Sequence, residues 1–288
     1  MAQALPTLNL IGAGRVGQTL AQLWTRNGVL QVRDVLTRST ASAQAALDFI
    51  APGASSGRAL AHIADMRAAD IWLLAVPDAQ IGACALELAT HARQCGDAPA
   101  LAFHCSGAQS AALLRPLRDL GWSVASAHPV LSFASPQAAA AQFPGTPCAL
   151  EGDAAACGAL QPWFSAIGGA CFTVRSEDKV LYHAAAVLAT NFAPVLQALA
   201  EDAWRATGMP DTLSLRLRER LLHNAVNNIV ALGPQRALTG PAARGDHAAI
   251  ALQADVVADW DPQAAAAYRA LSVLALRLAG HPAEPPQA

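Results

Sequence analysis

A doubly wound, parallel α/β sheet followed by an all-α segment is the fold class this sequence predicts, and three observations predict it. Up to about residue 175, short apolar runs alternate with helical patterns of roughly ten or more residues, as expected of βαβ units. The first run leads into Asn9 to Leu20, NLIGAGRVGQTL, a glycine-rich turn between a strand pattern and a helix pattern. From Lys179 to Gly280 no strand pattern recurs, and helical stretches are separated by the breakers TGMPD, LGPQ, LTGPAARGD and ADWDP.

Taken in order, Leu8 to Ile11 reads as a strand buried on both faces. After the glycines, Val16, Leu20 and Leu23 mark one helix face, which Asn27-Gly28 closes. Val29 to Leu36 is the next strand, and Ser39 or Thr40 caps a helix running through the alanines to Phe49. Asp70 to Pro77, DIWLLAVP, is a further buried strand with a helix through Ala92 behind it. Ala100 to Gly107, a helix to Leu120, and Trp122 to Val130 repeat the theme. TPCALEG and ACFTVRS then read as added strands flanking a helix from Ala154 to Ile167. At 288 residues the chain exceeds the usual single-domain size, and the change of pattern divides it into residues 1–175 and 176–288.

Composition excludes several classes. With 53% hydrophobic and 14% charged residues the chain has the means for a large core and little tendency to disorder. A net charge of −2 provides no attraction for nucleic acid or an anionic membrane as main partner. Cys84, Cys95, Cys105, Cys148, Cys157 and Cys171 contain no CxxC pair and read as buried small apolar residues in a reducing compartment, in preference to disulfides or metal ligands. The N-terminus lacks the basic start of a signal peptide. Ala184 to Ala200 is apolar but interrupted by Thr190, Asn191, Pro194 and Gln197, so it reads as a helix buried in protein rather than in lipid. A cytoplasmic protein is expected.

In GAGRVG, Gly12 permits the tight turn, Gly14 the approach of a pyrophosphate, and Gly17 close helix–strand packing. Together with Ala13, Arg15 and Val16 they make a candidate dinucleotide cradle of Rossmann type at a helix N-terminus. The end of the second strand separates NAD from NADP. Here Thr37-Arg38-Ser39 stands where NAD enzymes carry an acid, and Arg38 can pair with a 2′-phosphate, which points to NADP. A strand ending three residues earlier would instead put Asp34 at the ribose and select NAD.

Ligands in such sheets lie at the carboxyl ends of the strands. Val76-Pro77 and Ser106 stand at two of these ends as candidate cofactor contacts. His104 and His128 stand at the ends of two strands as candidate proton donors, histidine being the side chain that titrates near neutrality. Lys179 and His183, four residues apart, share a helix face at the start of the helical half and complete the candidate catalytic set. On an uninterrupted α-helix Asn191 would lie about 120° around and roughly 18 Å along from Lys179. Thr239, Arg244 and Asp246, in a turn-rich loop, either order a helix crossing or face the cleft.

GAGRVG, LTRS, AVPD, HCSGA, HPVLSF, KVLYHAAAVLATNF and ALTGPAARGD, in this order, resemble a family of Rossmann-like proteins whose C-terminal helical domain has no assigned function. The family is labelled NADP oxidoreductase by similarity to deazaflavin-dependent NADP reductases. More distantly the layout is similar to the 6-phosphogluconate and β-hydroxyacid dehydrogenase superfamily, including ketopantoate and pyrroline-5-carboxylate reductases. That resemblance implies a role for Lys179 in proton transfer and a homodimer formed through the helical half. His183 departs from it, standing where those dehydrogenases carry asparagine. The expectation is an NADP-dependent oxidoreductase moving a hydride between NADP(H) and a small carbonyl or imine substrate. The alternatives are an NADP-binding sensor or scaffold without chemistry and, further off, a nucleotide-sugar enzyme.

Overall fold

A computed structural model describes residues 4–53 and 57–283. The chain divides into two compact units, Met1–Leu188 and Ala189–Ala288, so the helix that begins at Lys179 belongs to the first unit rather than opening the second.

The first unit is built on one eight-stranded sheet of order β3-β2-β1-β4-β5-β6-β7-β8. Its strands are β1 (Thr7–Ile11), β2 (Gln31–Leu36), β3 (Arg58–Leu60), β4 (Ile71–Leu74), β5 (Leu101–His104), β6 (Ser123–Pro129), β7 (Pro147–Gly152) and β8 (Ala170–Thr173). All neighbours are parallel except β6 and β7, which run antiparallel. Helices α1 (Arg15–Arg26), α2 (Thr40–Ile50), α3 (Ile81–Cys95), α4 (Arg115–Arg118), α5 (Pro136–Gln142), α6 (Ala154–Ala166) and α7 (Lys179–Ala186) provide the connections and the flanking layers. The helix expected up to Leu120 shrinks to a 3-10 turn at Ala111–Leu114 and the short α4. Ser39 caps α2 as expected, its hydroxyl accepting from Ser42 N.

The central strands are apolar on both faces because each face is covered, which is the reason their sequences do not alternate. On one side Trp24, Phe103 and Phe164 meet edge to face, with ring centroids 5.3–6.4 Å apart. On the other side Trp72 packs against Trp122 at 5.9 Å. After β3 the chain crosses to the far side of β1 to form β4, so the strand order reverses between β1 and β4. A cleft opens at the carboxyl ends on either side of that switch, as the topology requires.

In the second unit α8 (Phe192–Ala206) packs on α9 (Asp211–Leu232), followed by α10 (Pro234–Ala237), α11 (His247–Trp260) and α12 (Pro262–Leu278). The breakers read from the sequence fall between these helices. A π-helical turn, Val187–Asn191, separates α7 from α8. It advances the chain by more residues per turn than an α-helix, so the angle expected between Lys179 and Asn191 does not hold. The run Ser176–Ala206 is long and apolar enough to cross a membrane by length and composition, and no residue of its most apolar 18-residue stretch is buried. The expected burial of Ala184 to Ala200 is therefore not met within one chain. Leu188, Phe192, Val195 and Leu196 are exposed, and Val230 on α9 is 81% exposed in α-helical secondary structure.

Candidate active site

The cleft is about 1150 Å³ and is walled by the ends of β1, β2 and β4 and by α2 and α3. Gly12, Ala13, Gly14, Thr37, Arg38, Val76 and Pro77, all read from the sequence as cofactor contacts, line it. The glycines differ in their reasons. Gly12 has φ +81°, and a Cβ there would sit 2.6 Å from the Ala75 carbonyl oxygen, so this turn admits no side chain. A Cβ on Gly17 would overlap that of Ala75 at 2.8 Å, so Gly17 serves helix–strand contact and stays outside the cavity wall. Gly14 has neither reason, with only the Ala75 oxygen at 4.0 Å. The space a Cβ would fill at Gly14 lies open at the first turn of α1, which carries no acidic residue and no side-chain cap. That is the room and polarity a pyrophosphate needs, so the residues present fit a dinucleotide. Val16 packs into the core and Arg15 donates to the Phe133 carbonyl at 3.3 Å, so neither lines the cavity.

At the far end, Asp34 is 0% exposed inside β2, where Arg58 reaches it at 2.8 Å and Arg67 at 2.5 Å. Burial alone would raise its pKa, but the hydrogen bonds from the two arginines outweigh it and hold the carboxyl at about 2. Asp34 is thus turned away from the cleft, and Arg38 takes the position beyond the strand. The Ser39 side chain, expected to contact cofactor, caps α2 instead and does not line the cavity. Ser42, His62 and Glu87 do line it and carry no local sequence signal for that role.

A second cluster forms at the ends of β5 and β6. Ser106 joins the elements: its hydroxyl donates to Asp78 at 2.6 Å, and its N–H donates to His104 Nδ1 at 3.2 Å. Ser106 is therefore a connector in this cluster and does not line the cofactor cavity. Lys179, 1% exposed, donates from Nζ to the Ser106 carbonyl at 3.1 Å and to Ser126 Oγ at 2.8 Å. Desolvation pulls its pKa below the ordinary lysine value. His104 is 0% exposed, its Nε2 lies 3.1 Å from the Ser110 carbonyl, and burial lowers its pKa to about 4. With both ring nitrogens on backbone, His104 holds the β5 loop and has no free nitrogen for a substrate.

His128 and His183 remain reachable. Their rings meet edge to face at 5.7 Å, both beside Gly107, where a Cβ would collide with each. His128 Nδ1 lies 2.9 Å from the Tyr182 hydroxyl. Burial, then the charges of His183 and Lys179, lower the His128 pKa to about 4, while burial raises that of Tyr182 to about 12. Both are neutral near pH 7 and joined by one hydrogen bond, so a proton given up by the imidazole can be replaced from the phenol, which is left as phenolate until a proton from solvent restores it. Tyr182 was not among the residues singled out in the sequence, although it lies three positions after Lys179. All six cysteines are free, and among the described residues no cluster suits a metal ion.

Two domain models match the chain: a Rossmann-like domain over residues 1–129 and a domain of unknown function, DUF2520, over residues 146–274. Among solved structures, a protein from Thermotoga maritima is 23% identical, with TM-score 0.73 over 95% of this chain and 98% of that one. A Bacteroides fragilis protein assigned by name as an NADP oxidoreductase is 22% identical, with TM-score 0.72 over 95% and 98%. The imine reductase of Myxococcus stipitatus in complex with NADP+ is 22% identical, with TM-score 0.62 over 96% of each chain. These likenesses establish a common fold. No curated protein matches the chain.

Proposed function

We propose that this chain, which matches a Rossmann-like domain over residues 1–129 and DUF2520 over residues 146–274, is an NADP-dependent oxidoreductase acting on a small carbonyl or imine substrate. The observation that carries the reading is the pairing of an open cradle at Gly14 with Arg38 beyond β2, where Asp34 has been withdrawn into its arginine pair. Gly12, Gly14, Val76 and Pro77 would hold the dinucleotide, and Arg38 its 2′-phosphate. The cofactor, when bound, supplies or accepts the hydride.

The proton that accompanies it is held by the Tyr182–His128 pair, the half-buried members of the cluster. Lys179 is a positioning residue: it ties Ser106 to Ser126, and its charge adds to the burial that keeps His128 neutral. Its enclosure also favours a second reading, an NADP-binding sensor without chemistry. That reading predicts stoichiometric NADPH binding with no oxidation across a panel of ketones, aldehydes and imines.

We further propose a soluble homodimer in which a second copy covers the exposed apolar side chains of α8 and α9, with no nucleic-acid or membrane partner. Thermal unfolding with NADPH and NADH side by side tests the central claim. A ligand at a hundred times its Kd adds about 2.7 kcal/mol, so NADPH should raise the midpoint and Arg38→Ala should abolish the rise. No shift with either dinucleotide would overturn the proposal.

A further inference from the structure

We propose that His62 is a second side-chain contact for the 2′-phosphate, acting with Arg38 and Ser42 to select NADP over NAD. The inference rests on the NADP reading above and names a residue that reading does not contain.

β2 and β3 pair in parallel with Asp34 opposite Arg58 and Leu36 opposite Leu60, and the Thr37 N–H continues the ladder by donating to the Leu60 carbonyl at 3.2 Å. Two residues past the last pair on each strand stand Arg38 and His62, and parallel strands are about 4.8 Å apart. His62 keeps an extended backbone, φ −128° and ψ 136°, before the 3-10 turn Ile63–Asp65. Both side chains line the same cavity, both are exposed, and neither has an ion pair or side-chain hydrogen bond among the described residues. Glu87, a carboxylate in the cavity wall, comes from α3, and Asp65 follows in the 3-10 turn. Neither is ion-paired to His62.

The hydroxyl inventory sharpens the assignment. Thr37 Oγ1 donates to the Ser39 carbonyl at 2.8 Å, and Ser39 Oγ donates to Ser42 Oγ at 3.0 Å while accepting from Ser42 N. The protons of both hydroxyls that the sequence offers to a phosphate are thus committed within the turn. Ser42 Oγ accepts and keeps its own proton to give. A phosphate arriving at this corner would therefore find Arg38, Ser42 and His62 as donors. One guanidinium does not satisfy every oxygen of a phosphate dianion, and an imidazole N–H at its side supplies a further donor.

Calorimetric titration of the full chain with NADPH, NADH and adenosine 2′,5′-bisphosphate tests this. His62→Ala should weaken NADPH and the bisphosphate about tenfold and leave NADH within about twofold, with His62→Gln intermediate. Because His62 is exposed, both variants should keep the parent's circular dichroism and unfolding midpoint. Equal weakening of NADPH and NADH would mean that His62 touches the adenine, and the assignment would be overturned. If Arg38→Ala weakens NADPH and the His62 variants do not, Arg38 acts alone and only this inference fails. Failure of the parent chain to bind any of the three ligands would remove the NADP reading as well.

Discussion

Holding His104 neutral in the folded protein should make stability fall as pH drops through the range between its unfolded and folded titration. The imidazole takes a proton near pH 6.5 in the unfolded chain but only near pH 4 in the fold, because burial disfavours its charged form. Between those values the unfolded state binds more protons, so stability is complete above about pH 6.5 and falls as pH is lowered towards 4. At 1.36 kcal/mol per pKa unit the shift corresponds to about 3 kcal/mol for this one group. His128, shifted in the same direction, adds to the slope. Urea unfolding followed by tryptophan fluorescence, stepped from pH 7 to 4, reads the effect. His104→Gln isolates it, since a glutamine amide can accept from Ser106 N and donate to the Ser110 carbonyl without titrating. The variant should be less stable than the parent at pH 7 by about 1 kcal/mol and more stable at pH 4. Parallel loss of stability in both proteins across the window would show that His104 is not held neutral and would restore it as an acid–base candidate.

Asp34→Asn should lower stability by about 2 kcal/mol at pH 7, the worth of a carboxyl held at about 2 rather than 3.8, and remove a loss that the parent shows as pH falls from 4 to 2. The variant's preference between NADPH and NADH should not change; a gain or loss of NADH affinity would mean that Asp34 reads the ribose after all. Gly12→Ala should destabilise by more than about 2 kcal/mol, from positive φ and overlap with Ala75, as read by thermal unfolding. Gly14→Ala should leave stability within about 1 kcal/mol yet weaken dinucleotide binding more than tenfold; the reverse pattern would make the cradle a packing device. Light scattering without detergent should give the mass of a dimer at micromolar concentration, and a monomer or a need for detergent would refute the proposed cover of α8 and α9.

What could be read from the sequence was local. The cradle, α1 and the Ser39 cap follow from residues within a few positions of one another, and their backbone needs are specific to glycine and serine. Three-residue β3 was invisible because Arg58–Leu60 has no pattern of its own and exists by pairing with β2. That blindness hid His62, whose place in the cleft is set by β3. The reversed direction of β7 was equally hidden, since an apolar strand reads the same either way. Tyr182 escaped because its partner His128 is 54 residues distant.

The candidate chemistry shows a different limit. Lysine and histidine at strand and helix ends were singled out for what their side chains can do in water. Packing then separated them: Lys179 and His104 are buried with their polar atoms hydrogen-bonded, while His128 is half-buried and gains a phenol as its partner. Depth is a property of the neighbours, contributed here by β5, β6 and α7 together, and no spacing within any one of these segments encodes it. The same argument explains Asp34, whose three-position offset from the strand end decides whether a carboxylate selects the cofactor or ties the sheet to two arginines. Residue type fixes the possible reactions at this site, and the burial of each group selects among them.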